Sequence, residues 1–86
     1  MTQKINIGDW IETESFGESV CIGIENEYVQ LRYPATRKID NKEIWVANGE
    51  RINDVQFLRA KDKVSEYVLT LEGPYGEGVN RPKNKI

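Results

Sequence analysis

Apolar and polar residues alternate with a period of two along most of the chain up to Ala60, which is the pattern of half-buried β-strands. In the first such segment, Ile11 and Thr13 share one predicted face. The opposite face carries Trp10, Glu12 and Glu14, and we expect it to be in contact with water. This segment therefore predicts a strand with a tryptophan among acids on its outer side.

Two further alternating segments flank a short acidic turn at residues 25–27 and predict a β-hairpin. The apolar positions are Val20, Ile22 and Ile24 before the turn and Val29, Leu31 and Tyr33 after it. Pro34 has no backbone N–H to donate to a sheet, so we expect it to end the second strand. Residues 35–42 then read as a polar, cation-rich loop.

A second hairpin is predicted at Asn48-Gly49, because a type I′ turn needs positive φ at both central residues. It would pair residues 44–47, in a strand predicted at residues 43–47, with residues 50–53. Residues 53–54 offer a single 3₁₀ turn, and residues 55–58 are predicted to form the last strand. About five short strands separated by regularly spaced turns predict an all-β fold, a small barrel or sandwich, in which closure protects the strand edges.

The pattern changes period after Lys61. Val64, Tyr67, Val68 and Leu71 lie on one helical face, Asp62 can cap the start, and Gly73 is followed by a proline. Residues 67–71 also have high β-propensity, so the sequence is consistent with either a short helix or a strand in this segment. We expect residues 1–61 to form the barrel, residues 62–73 to pack on it, and residues 74–86 to be a flexible tail.

The chain has 86 residues, which predicts one small domain without a deep catalytic cavity. Its net charge is −2, but the charge is unevenly distributed: residues 1–27 sum to −5 and residues 28–63 to +3. Pairing between the strands of the two segments would neutralise these charges. Alternatively, the asymmetry marks an interaction surface.

The side chains that most enzymes need are scarce. Histidine is absent, so the most common general base and metal ligand is missing. The single cysteine, Cys21, is expected to be a buried structural thiol. We therefore expect no enzymatic activity, no cofactor and no metal. A lone cysteine and the lack of an apolar run of about 18–20 residues favour a cytoplasmic location without membrane contact.

The segments IGDWIETES, GESVCIGI, EYVQLRY, EIWVA and INDVQFLRA together resemble the small SH3-like β-barrels, a group that includes Tudor and KOW-type domains. The resemblance covers residues 5–60 and is one of strand and turn order. It implies a five-stranded SH3-like barrel that acts as a binding module, because this architecture hosts many unrelated binding roles.

Three roles follow as hypotheses. The preferred one is recognition of a protein or peptide partner through aromatic and acidic side chains: Trp10, Glu12, Glu14, Tyr28 and Trp45. The first alternative is nucleic-acid binding by the basic central loop and its neighbours: Arg32, Tyr33, Arg37, Lys38 and Lys42. The second alternative is a small homo-oligomeric regulator or inhibitor from a mobile element.

Overall fold

A computed structural model of the protein describes residues 4–73, which form five strands, a 3₁₀ turn and a short helix. The strands are β1 (Trp10–Thr13), β2 (Gly17–Glu25), β3 (Tyr28–Arg37), β4 (Lys42–Arg51) and β5 (Val55–Arg59). The 3₁₀ turn (Ile52–Asp54) separates β4 from β5, and helix α1 (Lys63–Val68) follows β5. The predicted all-β class is confirmed. The proposed tail at residues 74–86 lies outside the described residues.

All five strands belong to one antiparallel sheet with the order β4-β3-β2-β1-β5. Three of the four pairings join strands that are consecutive in the chain. The fourth joins β1 to β5 and places Thr13 opposite Val55. This arrangement is compatible with a small barrel-like fold.

The hairpin predicted at residues 25–27 is confirmed. Asn26 lies in the turn between β2 and β3 and has a φ of 57°. Asparagine tolerates this left-handed conformation better than most residues do. The register then shifts between Cys21 and Gly23, so a bulge interrupts the pairing of β2 with β3.

The turn predicted at Asn48-Gly49 is wrong. Both residues lie inside β4, where Gly49 is opposite Gln30 of β3. The chain reverses instead at residues 38–41, where Asn41 has a φ of 59°. The Asn48 side chain forms a local hydrogen bond within β4, in which its Oδ1 accepts the backbone N–H of Gly49 at 2.8 Å.

The predicted end of a strand at Pro34 is also wrong. β3 continues to Arg37, and Pro34 is opposite Trp45 of β4. The register of β3 with β2 ends at Arg32, so Pro34 has a strand neighbour on one side only. A proline is tolerated at such an open edge. Residues 33–46 therefore form a two-stranded projection, which we call the hairpin arm.

Both faces of the sheet carry buried apolar side chains. The cluster on one face consists of Ile5, Ile11, Cys21, Val29, Leu31 and Val55, with Phe16, Tyr33 and Ile52 packed against it. The cluster on the other face consists of Trp10, Val20 and Val68, with Ile22, Trp45, Leu58 and Leu71 around it. α1 supplies Val68 to the second cluster. The helix therefore covers a face of the sheet that the alternating pattern predicts to be exposed to solvent.

α1 confirms the helical alternative for the segment after Lys61. Asp62 is its N-cap and accepts the backbone N–H of Ser65, while the Ser65 hydroxyl accepts the backbone N–H of Asp62. This reciprocal capping satisfies two donors that a helix start would otherwise leave unpaired.

Candidate functional site

Trp10 is buried, with 6% of its surface exposed. Its indole N–H donates to Oδ1 of Asp62 at 3.0 Å, and the Arg59 guanidinium lies 4.5 Å from the centroid of its ring. Trp45 meets it edge-on, at 6.2 Å between ring centroids. The expectation that Trp10 faces water is therefore wrong, because α1 and its capping residue cover this part of β1.

Glu12 and Glu14 are exposed, as expected, and line a surface pocket of about 420 Å³. Pairing of β1 with β5 brings Asp54 and Gln56 to the same pocket, since Glu12 is directly opposite Gln56. Sequence reasoning did not include Asp54 because its position depends on this long-range pairing. Three carboxylates make the pocket acidic, but no group of side chains in residues 4–73 is arranged to hold a metal ion.

Tyr28 lies at the start of β3 and is 50% exposed. The Arg51 guanidinium lies 5.8 Å from the centroid of its ring. Tyr28 is opposite Glu25 in β2, whereas Trp10 is opposite Val20. The residues predicted to bind a partner are consequently distributed over a buried cluster, an acidic pocket and the far end of the sheet, and do not form one surface.

Two residues of the predicted basic site make contacts inside the fold. Arg32 is 5% exposed, and its guanidinium donates to the carbonyls of Trp45 at 2.7 Å and Gly73 at 2.6 Å. Burial lowers the pKa of Arg32 below its ordinary value. Tyr33 stacks on Phe16, with 4.8 Å between ring centroids. Arg32 thus links β3, β4 and the chain after α1, and its donors are not directed at solvent.

The other three basic residues lie at the tip of the hairpin arm. Arg37 forms an ion pair with Asp40 at 2.6 Å, and this hydrogen bond holds the pKa of Asp40 below its usual range. Lys38 and Lys42 are exposed. Ile39, next to Lys38, is 87% exposed. Ile39 was missed because an isolated apolar residue in a polar loop carries no periodic signal.

Cys21 is fully buried in the first apolar cluster, as expected for a free cysteine among apolar neighbours. Burial raises the pKa of its thiol to about 11. The reactive form of cysteine is the thiolate. Cys21 is therefore a packing residue.

Within residues 4–73, no helix has the length and apolar character needed to cross a lipid bilayer. Comparison of the chain with protein-family models, with curated proteins and with solved structures finds no match.

Proposed function

We propose that this chain is a non-enzymatic binding module that recognises a protein partner through the tip of the hairpin arm. The proposal rests on Ile39, which is 87% exposed and is the most exposed large apolar side chain among the described residues. Burying such a side chain at an interface contributes roughly 1.5–3 kcal/mol. In the free protein this gain is not realised, so it is available for binding.

The charges at the tip define the partner's chemistry. Asp40 pairs with Arg37 and also interacts electrostatically with Lys42, which leaves the exposed Lys38 as the cation next to Ile39. The matching surface is an apolar pocket with acidic groups at its rim, since opposite charges across an interface steer association and fix orientation. A buried apolar anchor surrounded by polar contacts is a common arrangement of interface hot spots.

The strand order and the 3₁₀ turn before the last strand support the more specific description of the fold as an SH3-like barrel. Barrels of this type are frequently binding modules. This support for the proposal is an analogy between folds. Glu12, Glu14 and Tyr28 remain exposed and stay candidates for secondary contacts. The proposal places the module in the cytoplasm, as its cysteine usage predicts.

Site-specific photo-crosslinking tests the proposal. A benzophenone amino acid is introduced at Ile39 or, as a matched control, at Glu66, which is exposed on α1 and lies outside the arm. In a lysate of the native host, we expect an adduct from position 39 only. Unlabelled wild-type protein should compete for this adduct, whereas the Ile39→Ser variant should not. Equal adducts from both positions, or equal competition by the variant, would contradict the proposal.

Nucleic-acid binding is the alternative function that the same residues support. Lys38 and Lys42 at the tip of a two-stranded arm are suited to phosphate contacts. Fluorescence anisotropy with single- and double-stranded oligonucleotides at low and moderate salt distinguishes the two, because phosphate contacts are strongly salt-dependent. Salt-dependent binding that Lys38→Glu abolishes would replace the protein-partner proposal.

A further inference from the structure

We propose that the outer edge of β4 pairs with the same edge of a second copy of the chain, which gives a two-fold-symmetric sheet of ten strands. β4 is the end strand of the sheet and is ten residues long. Among the described residues it has a strand neighbour on one side only. A long end strand presents a row of unpaired backbone groups to another chain. This inference goes beyond the proposed function, because Ile39 lies outside the paired residues.

In the part of the chain that the structure describes, β4 is the long end strand without a proline or a bulge. The exposed edge of β3 in the hairpin arm carries Pro34, which has no N–H. β5 is only five residues long, and its register with β1 shifts between Trp10 and Ile11. β4 contains no proline, and its ten pairs with β3 follow one register without a shift. Prolines, short strands and bulges are the devices that blunt edges in natural sheets.

The backbone of β4 indicates which residues present N–H and C=O groups to the outer edge. Gly49 donates its N–H to the Asn48 side chain, whereas Ile52, just after β4, donates its N–H to the Glu27 carbonyl on the β3 side at 2.8 Å. Trp45 is opposite Pro34, which has no N–H with which to complete a hydrogen-bonded pair. Both observations place the outward groups on odd-numbered residues, since inward and outward groups alternate along an antiparallel strand.

One register satisfies this backbone pattern and the side chains together. In this register Val46 is opposite Val46 of the second copy, and Trp45 is opposite Ala47 of the second copy. Residues whose N–H and C=O point to the outer edge are therefore opposite residues of the same kind. The same register places Lys42 opposite Glu50 of the second copy, and the two-fold axis creates this ion pair twice. Opposite charges on directly opposed strand residues are favourable, and like charges are unfavourable. β4 is therefore self-complementary in charge when it is antiparallel to itself.

Dimerisation replaces one contact within the chain and keeps another. The Gly49 N–H leaves the Asn48 Oδ1 for the paired strand of the second copy. The Trp45 carbonyl accepts from Arg32 at 2.7 Å and keeps a second lone pair for the partner strand. Because the two strands are antiparallel, the tips of the two hairpin arms lie at opposite ends of the joint sheet. A dimer of this kind presents Ile39 twice and can bind a bivalent partner with increased avidity.

Analytical ultracentrifugation of the full chain tests the dimer. We expect a concentration-dependent species with twice the mass of the chain. Lys42→Glu and Glu50→Lys should each weaken the dimer roughly 2- to 30-fold, and the double variant should restore it. A chain that stays monomeric up to millimolar concentration would overturn the proposal, as would a double variant that dimerises no better than the single ones.

Two more variants separate edge pairing from loss of folding and from partner binding. Ala47→Pro removes an outward N–H and should abolish the dimer, whereas the matched control Ala47→Ser keeps that N–H and should dimerise normally. Ile39→Ser should also remain dimeric, so failure of the proposed function would not affect this result. Dimerisation of Ala47→Pro with wild-type affinity would rule out pairing through β4.

Discussion

One oxygen of Asp62 accepts two hydrogen bonds, from the indole N–H of Trp10 at 3.0 Å and from the backbone N–H of Ser65 at 2.9 Å. The first bond connects residues that are 52 positions apart in the chain. The second caps α1. A single carboxylate therefore fixes the start of the helix and attaches it to β1, which explains why Trp10 is buried.

This double role makes stability dependent on pH. Hydrogen bonds from Ser65 and from Trp10 lower the pKa of Asp62 below its ordinary value. The charged carboxylate consequently stabilises the fold above the pKa of an unfolded aspartate, about 3.9, and this contribution is lost as the pH falls through the lower folded-state pKa. We expect the urea midpoint of Asp62→Asn to fall less between pH 7 and about 2.5 than that of the wild type.

A matched control for this experiment is Asp54→Asn, which removes an exposed carboxylate at the pocket edge. Its midpoint should fall with pH as the wild-type midpoint does. If both variants responded alike, the pH dependence would reflect net charge and not the Asp62 contacts.

Arg32→Met should destabilise the fold by about 2–3 kcal/mol, although it replaces a charged residue by an apolar one in a buried position. The loss arises because the carbonyls of Trp45 and Gly73 lose their charged donor. Arg32→Lys should recover little, since one ammonium group cannot reproduce the planar guanidinium that reaches both carbonyls. Chemical denaturation measures the difference, with Lys38→Met at the exposed arm tip expected within about 0.5 kcal/mol of wild type.

The two aromatic candidates Trp10 and Tyr28 should respond very differently to truncation. Trp10→Ala removes a buried side chain and should lower the free energy of unfolding by about 3–5 kcal/mol. Tyr28→Ala removes a half-exposed ring that contacts Arg51 and should lower it by about 1 kcal/mol or less. Urea unfolding followed by circular dichroism measures both. Equal losses would contradict the burial of Trp10 beneath α1.

Cys21 should be nearly inert in the folded protein. At pH 8 a pKa of about 11 reduces the thiolate fraction on the order of 200-fold relative to a free cysteine, and burial restricts access further. Iodoacetamide should therefore label Cys21 at a rate set by unfolding, and urea should accelerate the reaction. The double variant Cys21→Ala/Ile24→Cys, with its thiol at a half-exposed site, provides the reactive control. Rapid labelling of the native wild type would contradict the prediction.

The alternation of apolar residues was sufficient to locate β1, β2 and the first part of β3, although β2 buries three consecutive residues, Ser19, Val20 and Cys21, because both faces of the sheet are covered. It also placed Ile11 and Trp10 correctly on opposite faces of β1. It could not show that the Trp10 face is covered, since this depends on a helix that begins at Lys63. A period of two identifies faces, whereas burial of a face depends on elements distant in sequence.

The hairpin arm shows a different limit. Asn48-Gly49 is a strong turn signal by local conformational preference, yet continuous pairing of β4 with β3 overrides it. Pro34 carries a strong signal for a strand end, but it lies where β3 needs no hydrogen bond from that side. The true turn contains Asn41 at positive φ, and Asp40 and Asn41 are its local turn signals. Of the candidate site, the exposure of the tip cations was predictable, but the exposure of Ile39 and the position of Asp54 were not.

The pairing of Thr13 with Val55 has a consequence for the order in which the chain folds. The other three strand pairs close short loops, whereas β1 and β5 must close a loop of more than forty residues, which carries the largest entropic penalty. We expect the β2-β3-β4 meander to form first and the closure of β1 on β5 to limit the refolding rate. In stopped-flow experiments, Val55→Ala and a destabilising change in the β3-β4 pairing should both slow refolding, because the meander and its closure by β5 are both present at the rate-limiting step.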